Sequence, residues 1–333
     1  MEKERAVEIA EQVWKIIEDS AAYGFNASHS LCVAYDSLYG AYLKAHHTYE
    51  YYETILAYYS GEYAKKKKNI KKVGMIKEEM EEHYGILIGG MKFGQDNTSF
   101  VADTEKGTIS RSLLGVKRMT IAVAEYLRDR KDDKFENFHQ LYMSFSADKV
   151  LTKTHFEALI KIDYFSEYGK RKQLLAYIEI VRAFYVKTMR KTSITTKINK
   201  LERTQKYLTE EVIMSAIRGI CGGETEKSFT KINPDKLVMA LYSNVPDTDF
   251  TDVEIIRTEI ELMENVNAVV NVPYGEVCAV SMKNHSILFK SYRNGHQAWI
   301  KVKGRMPNRD DIIIVEHMSK NGRNVTLEKY EVV

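Results

Sequence analysis

Apolar residues recur at helical spacing through most of the chain and at alternating, strand-like spacing near its end. Up to residue 233 the sequence is rich in Ala, Leu, Glu, Lys, Met and Tyr and contains no proline. This pattern predicts helices at residues 3–20, 27–47, 48–60, 64–83, 115–130, 134–144, 152–162, 169–190, 195–220 and 251–264. The sequence therefore predicts an all-helical body followed by a different kind of structure.

From residue 266 onward the pattern changes to short β-rich runs: VNAVVNV, EVCAVSM, HSILFKSY, QAWIKVK, DIIIVEHM and VTLEKYEVV. Two Asn-Gly pairs, Asn294-Gly295 and Asn321-Gly322, separate such runs. Asn-Gly favours tight hairpins because both turn positions adopt positive φ. These signals predict a small antiparallel barrel or sheet, for which an OB-like barrel and other small barrels are both alternatives.

The expected fold class is mainly α with a small C-terminal β domain. A chain of 333 residues is long enough for two or more domains. We expect helical domains at residues 1–110 and 111–220, then a linker and one helix at 221–265, and the β domain at 266–333. The linker is predicted from Gly222-Gly223 and the prolines that follow it.

Overall composition places few limits on function. Lys and Arg number 49 and Asp and Glu 46, so a net charge of +3 neither requires nor excludes a polyanionic partner. The three cysteines, Cys32, Cys221 and Cys278, have no disulfide-framework or zinc-ligand spacing. The N-terminus is charged and amphipathic, and no apolar run approaches ~18 residues. We expect a cytoplasmic protein with reduced thiols and no membrane span.

The helix predicted at 27–47 carries two different faces. One side holds His29, Val33, Asp36, Gly40, Lys44 and His47, whereas the other holds Leu31, Tyr35, Leu38, Tyr39, Tyr42 and His46. Asn26 is a good N-cap, which would direct the first-turn amides toward an anion such as a phosphate. A tyrosine stripe is more often part of a core, and a lone histidine is more often structural. Periodicity alone leaves both interpretations open.

The residues of this helix also carry a family resemblance. The string Tyr23-Gly24-Phe25-Asn26-x-Ser28-His29, with Ala34-Tyr35 and Ala41-Tyr42-Leu43-Lys44-Ala45-His46 after it, resembles the fingers segment of bacterial C-family replicative DNA polymerases, the DNA polymerase III α subunits. The family pattern there is approximately YGFNKSHAxAYxxxxYxTAYLKAHYP. The resemblance implies that residues 1–110 are a fingers-like domain.

Further similarity follows in the same order. SLLGVKRMTIAVAEYLRDR (112–130) is similar to the family's GLGAIKxVG stretch, and LTKTHFEALIKIDYFSEYGKRKQLL (151–175) is similar to its NKxxLExLIKAGAFDxxGxxRxxLL stretch. The match covers residues 10–180, with a faint continuation at 253–266. The resemblance implies helix-hairpin-helix motifs within 111–220.

In this family the fingers close over the incoming nucleotide. The resemblance therefore implies a triphosphate site formed by Asn26, Ser28, His29, Lys44 and His46. Such a role fits phosphoryl transfer, which is catalysed largely by positioning and charge neutralisation. One departure is that Ala27 stands where the family has a basic residue, so this contact is absent or comes from elsewhere, with Lys44 as a candidate.

The family's metal-binding palm aspartates and PHP domain lie upstream of the fingers, and we expect neither in this chain. VPDTDF (245–250) is similar to the family's palm signature, but it lies downstream of the fingers and has a single Asp-x-Asp pair. Asp247 and Asp249 are predicted to form a turn and a helix cap. No catalytic or metal-binding residue is expected here, and Mg²⁺ is expected on a palm- and PHP-bearing partner subunit.

Several motifs are candidates for contact with primed DNA. In the first predicted hairpin these are Gly115, Lys117 and Arg118, with Met119 in place of the family's second glycine. In the second hairpin Asp163 replaces a glycine, and an acid there would repel a phosphate. The flanking cations Lys170, Arg171 and Lys172 form either a DNA contact or a solvated turn. The run Lys65, Lys66, Lys67 and Lys68 is a solvated face or a DNA-facing surface.

The β domain contains the pattern of a single-strand binder. Residues 291–306 interleave aromatic rings and cations, namely Tyr292, His296 and Trp299 with Arg293, Lys301, Lys303 and Arg305. Ordinary strand alternation produces the same pattern. QLYMSF (140–145) faintly resembles a sliding-clamp peptide, although Leu141 and Phe145 fit a helix core better. A sliding clamp is a further candidate partner.

The leading interpretation is a fingers and C-terminal subunit of a split DNA polymerase, inactive alone and acting in a bacterial or phage-infected cell. It would bind dNTP and primed DNA. The alternatives are a noncatalytic DNA-binding replisome protein that has kept the fold, which Ala27 and Asp163 would permit, and an adaptor that docks a replisome component.

Overall fold

A computed structural model describes residues 2–22, 27–60, 69–263, 272–293, 295–322 and 324–333. The predicted Asn26 cap, the Lys65–Lys68 run, the β-rich run at 266–271 and Asn294 lie outside these ranges. The chain divides into two compact units, Met1–Tyr52 and Glu53–Val333. This boundary differs from the predicted one at residue 110.

The first unit is helical throughout its described part. It contains α1 (Glu2–Ala22), α2 (Ala27–His46) and the beginning of α3 (Thr48–Ser60). α2 and α3 meet at His47, whose amide still donates to the Leu43 carbonyl at 2.8 Å. The helices predicted at 3–20, 27–47 and 48–60 are confirmed.

The second unit begins with the rest of α3, and a further helix and a small sheet follow. α4 (Ile70–Glu79) continues into a π-helical turn, Met80–Tyr84, which ends at Gly85 in the left-handed region with φ 65°. Strands β1 (Leu87–Ile88), β2 (Val101–Asp103) and β3 (Thr108–Ser110) follow, and β3 lies between the other two. A 3₁₀ turn at Leu113–Gly115 leads into the helical core.

The main hydrophobic core lies among the helices after residue 112. These helices are α5 (Ile121–Asp129), α6 (Phe138–Ala147), α7 (Lys153–Lys161), α8 (Arg171–Phe184), α9 (Thr192–Ile198), α10 (Glu210–Arg218), α11 (Pro234–Tyr242) and α12 (Asp252–Met263). Leu141 and Phe145 of α6 are fully buried in this core, as the helical interpretation of QLYMSF predicts. In this conformation that segment cannot present its apolar side chains to a clamp.

Residues 221–242 form packed structure rather than the predicted linker. β4 (Met189–Arg190), β5 (Cys221–Glu224) and β6 (Ser228–Ile232) make a three-stranded sheet with β6 in the centre. A Cβ at Gly223 would lie 2.9 Å from the Thr230 hydroxyl, so this glycine permits close strand pairing. Pro234 occupies the first turn of α11, a position that proline favours. The same residue types that suggested a linker therefore serve a sheet and a helix start.

The C-terminal part of the second unit is a closed five-stranded barrel. Its strands are β7 (Tyr274–Ser281), β8 (Ser286–Ser291), β9 (Gln297–Val302), β10 (Ile312–Asn321) and β11 (Asn324–Val332). They close in the order β10-β11-β9-β8-β7, with β9 and β11 parallel and every other pair antiparallel. Inward side chains such as Ile287, Ile300 and Leu327 fill the interior. A mainly α fold with a small C-terminal β domain is thus confirmed.

Candidate nucleotide and DNA interface

The predicted nucleotide-binding residues lie along α2. His29 is exposed in the first turn, and the structure describes only the backbone of Ser28. Lys44 is half-buried, with its Nζ 6.0 Å from the ring centroid of Tyr51 and 5.9 Å from that of Tyr52. His46 is exposed, and its ring centroid lies 4.4 Å from that of Tyr42. None of the three described side chains is enclosed in a core.

The length of α2 divides these candidates into two groups. His29 and Lys44 are 15 residues apart, which corresponds to about 22 Å along the helix axis. The five predicted residues therefore extend over the whole length of α2, and a triphosphate at one end of the helix would contact only the residues at that end. The first turn carries no acidic residue, whereas Lys44 and His46 lie in the last turn. The N-terminal end of α2 is therefore the end suited to an anion.

The aromatic face of α2 is on the surface. Leu38, Tyr39 and Tyr42 expose 61%, 63% and 54% of their area. α1 shows the same feature, with Trp14 63% exposed and Ile16 65% exposed. The core interpretation of the tyrosine stripe is thus wrong for the folded chain, because these side chains contact solvent.

The first predicted hairpin is short on its N-terminal side. Gly115 ends a 3₁₀ turn of three residues rather than an α-helix. Lys117 and Arg118 are both exposed, and Arg118 has a left-handed backbone with φ 75°. The Lys117 amide donates to the carbonyl of Leu262 at 2.7 Å. This amide is used within the protein, so the side chains are what this turn can offer to a phosphate.

The second predicted hairpin has an α-helix on each side, α7 and α8. Asp163 stands just after α7 with φ 68°, a conformation that glycine adopts readily and that Asp tolerates. Its carboxylate lies 3.2 Å from the Arg171 guanidinium, which also lies 3.8 Å from Asp249. Burial raises the pKa of Asp163, the charge of Arg171 opposes this rise, and the charge of Asp249 adds to it.

These contacts change the expected roles of the three cations at 170–172. The Arg171 side chain is only 13% exposed and occupied by two carboxylates, and Lys172 pairs with Glu254 at 2.8 Å. A phosphate would have to displace these partners. Lys170 is exposed at the N-cap of α8 and forms no ion pair with another described residue. Of the three, Lys170 is the cation placed for DNA contact.

The palm-like string has a capping role. Asp249 accepts hydrogen bonds from the backbone amides of Arg171, at 3.2 Å, and Phe250, at 2.8 Å. It therefore caps α8, which is distant in sequence, whereas Thr251 caps the helix that follows. Within the described residues, no group of three or more His, Cys, Asp or Glu side chains is arranged to hold a metal ion.

On the barrel, the aromatic residues of the predicted single-strand surface have different environments. Trp299 of β9 is 57% exposed, and Lys301 on the same strand face is exposed. Tyr292 packs against a small apolar cluster, and the Arg293 guanidinium lies 5.7 Å from the Tyr274 ring centroid. His296 lies 3.7 Å from the Glu78 carboxylate. Of Tyr292 and Trp299, only Trp299 is exposed, and Lys303 and Arg305 are exposed beyond the end of β9.

Part of this chain is similar in sequence to known proteins. The DNA polymerase III subunit alpha of Campylobacter jejuni is 27% identical over 168 residues, and that of Bacillus subtilis is 29% identical over 182 residues. These matches cover 50% and 54% of this chain. The similarity to DNA polymerase III subunit alpha is confirmed over about half of the chain. It spans only 13% and 15% of those two subunits. A 62-residue stretch is 40% identical to the subunit alpha of Thermotoga maritima, covering 19% of this chain and 7% of that subunit. No family model matches the chain.

Sequence reasoning missed a group of cations between residues 186 and 206. Four of them, Lys187, Arg190, Lys200 and Lys206, are exposed in the structure. The signal that would have found them is local net charge, because the near-neutral total conceals it.

None of the helices in the described part of the chain combines the length and apolar character needed to cross a membrane.

Proposed function

We propose that this chain is the fingers and C-terminal part of a split DNA-directed DNA polymerase. It binds the incoming dNTP and primed DNA, and another polypeptide supplies the metal-binding palm aspartates. The observation that carries the proposal is the first turn of α2. Its motif resembles the fingers segment of the polymerase family, and His29 is exposed at the helix end that attracts anions.

In this proposal the triphosphate lies at the N-terminal end of α2. Asn26, Ser28 and His29 contact it, and the first-turn amides supply further donors. Lys44 and His46 act at the other end of the helix, where cations stabilise the C-terminal dipole. Ala27 contributes no charge. This site therefore depends on His29 more than a site in which a basic residue stands beside the histidine.

The apolar surface of the first unit supports a protein partner. Thirteen large apolar side chains of α1 and α2 are between 48% and 65% exposed. Exposed apolar side chains in such number are typical of a surface that another protein covers. The proposed occupant is the palm-bearing polypeptide, since α2 must meet the palm for both to reach one nucleotide.

The second unit supplies the proposed DNA contacts. Lys117, Arg118 and Lys170 are exposed cations at the two predicted hairpins, and cations at such turns hold phosphates without reading sequence. The lysines 65–68 lie outside the described residues and keep this role only as a sequence-based expectation.

We also propose that the barrel has an OB-like fold. In support, its five strands close with the first three as a meander and the third parallel to the fifth, which is the arrangement of OB barrels. The second and third strands of such barrels bind oligonucleotides, and here they are β8 and β9, on which Trp299 is exposed. A single-stranded template is the ligand that this face fits.

Primer extension tests the proposal. The chain is combined with candidate palm-bearing polypeptides, and synthesis is measured as the dNTP concentration is varied. Alone it should not extend a primer, whereas the correct pair should. His29→Ala is expected to raise the apparent KM for dNTP by roughly 10-fold or more, since a charge-assisted hydrogen bond is lost. His83→Ala removes another exposed histidine and should leave KM unchanged.

A second candidate function is a noncatalytic DNA-binding protein of the replisome. It is favoured by Ala27 in place of a cation and by the pairing of Asp163 with Arg171 rather than with a ligand. This function predicts that no palm-bearing polypeptide restores synthesis and that His29→Ala leaves DNA binding intact. Absence of synthesis with every candidate palm would therefore contradict the leading proposal and favour this one.

A further inference from the structure

Positive charge is concentrated in one short stretch of the second unit. Residues 186–206 contain seven Lys or Arg residues and one Glu, a net charge of +6. The whole chain carries +3, so all other residues together carry −3. The stretch comprises β4, α9 and the turns on either side. Such a local excess is the electrostatic feature expected of a surface that meets a polyanion.

Three of the seven cations have partners within the protein. Lys191 pairs with Glu224 at 2.7 Å, and Arg203 pairs with Glu179. The Lys197 ammonium donates to the Ala183 carbonyl. These three cations hold the stretch against its neighbours and are not the ones offered to a ligand.

The other four are exposed, and no carboxylate in the described part of the chain forms an ion pair with them. We call Lys187, Arg190, Lys200 and Lys206 the basic patch. The single acid of the stretch, Glu202, is exposed. Glu210 and Glu211, which follow it, lie in the first turn of α10, where the helix dipole stabilises them.

Two cations of this stretch, Lys197 and Lys200, repel each other. The pKa of Lys197 is lowered, first by burial and then by the charge of Lys200. Unpaired like charges at close range cost folding free energy, and a bound polyanion removes that cost. α9 itself is about 10 Å long, so Arg190 before it and Lys200 after it can meet separate phosphates of a nucleic acid.

We propose that the basic patch binds the phosphate backbone of duplex DNA. Exposed hydroxyls of Thr188, Thr192 and Thr196 accompany the cations and are further donors to phosphate. Two nearby aromatic residues already have partners, one of them within the patch. The Tyr185 hydroxyl bonds to Asp235, and Tyr207 is half-buried with the Lys206 ammonium 4.8 Å from its ring centroid. The Tyr185 ring is 42% exposed, but its hydroxyl is held by Asp235, so cations and hydroxyls dominate this surface and favour the backbone of a duplex over the stacked bases of a single strand.

The test measures binding of a short fluorescent duplex of mixed sequence at salt concentrations between about 50 and 200 mM. The patch variant is Lys187→Gln, Arg190→Gln, Lys200→Gln. The control variant, Lys134→Gln, Lys149→Gln, Arg309→Gln, removes the same charge from exposed positions elsewhere. Each lost phosphate contact reduces the slope of log K against log salt by about 0.9, so the patch variant should lose about 2.7. The control should lose much less.

Equal slopes for the two variants would overturn the proposal, because charge at the patch would then act only through the net total. An equal loss of binding to oligo(dT) and to duplex would overturn the duplex assignment. Loss of polyglutamate binding without loss of duplex binding would identify an acidic protein surface as the partner instead. Circular dichroism confirms that each variant is folded. The assay contains neither dNTP nor a palm-bearing partner, so its outcome is independent of the proposed polymerase function.

Discussion

The Nδ1 atom of His139 lies 2.7 Å from the hydroxyl oxygen of Tyr177, deep between α6 and α8. The other ring nitrogen of His139 lies 3.1 Å from the carboxylate of Asp235 at the start of α11. Tyr177 is fully buried, and burial raises its pKa well above the ordinary range, so the hydroxyl stays protonated. One histidine thus connects three helices of the main core.

We expect Tyr177→Phe to lower the free energy of unfolding by about 1 to 2 kcal/mol, because a buried hydrogen bond is lost and a histidine nitrogen is left without its partner. Urea denaturation measures this change. Tyr39→Phe, at a side chain 63% exposed, should stay within about 0.5 kcal/mol of the wild type. Equal stability of both variants would mean that the contact contributes nothing.

The core could be predicted from the sequence where burial follows a local period. The apolar positions of α6 repeat at helical spacing, and Leu141 and Phe145 are buried as expected. Five of the six β-rich runs form strands of the barrel. Alternating apolar and polar residues predict such strands, because every second side chain faces the interior. The sixth run, apart from its last residue Val272, lies outside the described residues.

Contacts between distant residues could not be predicted in this way. Arg171 has the sequence context of a DNA-binding cation, yet Asp249, 78 residues later, caps its helix and helps neutralise it. The Gly222-Gly223 pair has the composition of a linker, but it lies in β5, which pairs with β6. The composition of α2 fits both a core helix and a ligand-binding helix, and only the structure shows that its aromatic face is exposed.

The raised pKa of Asp163 gives a pH-dependent prediction. Because its folded-state pKa lies above the ordinary value of 3.8, the folded state binds this proton more tightly than the unfolded state. The contribution of Asp163 to stability is therefore present at low pH and is lost as pH rises through its folded-state pKa. Asn does not titrate and also tolerates positive φ.

We therefore expect the stability of the wild type, relative to Asp163→Asn, to fall as the pH is raised from about 3 to about 6. Urea denaturation at several pH values gives this difference. A difference that stays constant or rises over this range would show that Arg171 outweighs burial at this carboxyl group.

Gly275 of β7 lies where a side chain has no room. A Cβ at Gly275 would lie 2.2 Å from the Lys290 carbonyl oxygen and 2.6 Å from the Phe289 ring. Because one of these neighbours is backbone, Gly275→Ala should cost about 1 to 3 kcal/mol or prevent the barrel from closing. Gly115→Ala, where no atom lies within 4 Å of the added Cβ, is the control and should change stability little. Thermal unfolding followed in the far ultraviolet compares the two, and equal melting temperatures would contradict the steric argument.

The two tryptophans of the chain provide a matched test of the barrel surface. Trp299 is 57% exposed on β9, whereas Trp14 is 63% exposed on α1. If Trp299 is a stacking platform, Trp299→Ala should weaken oligo(dT) binding by about 1 to 3 kcal/mol, which is roughly 5- to 150-fold in Kd. Trp14→Ala removes an equally exposed indole from the other unit and should leave this Kd unchanged. Binding also quenches the fluorescence of a stacked indole, so the quenching seen in the wild type should persist in Trp14→Ala and disappear in Trp299→Ala. Persistence in Trp299→Ala would place the single strand elsewhere on the molecule.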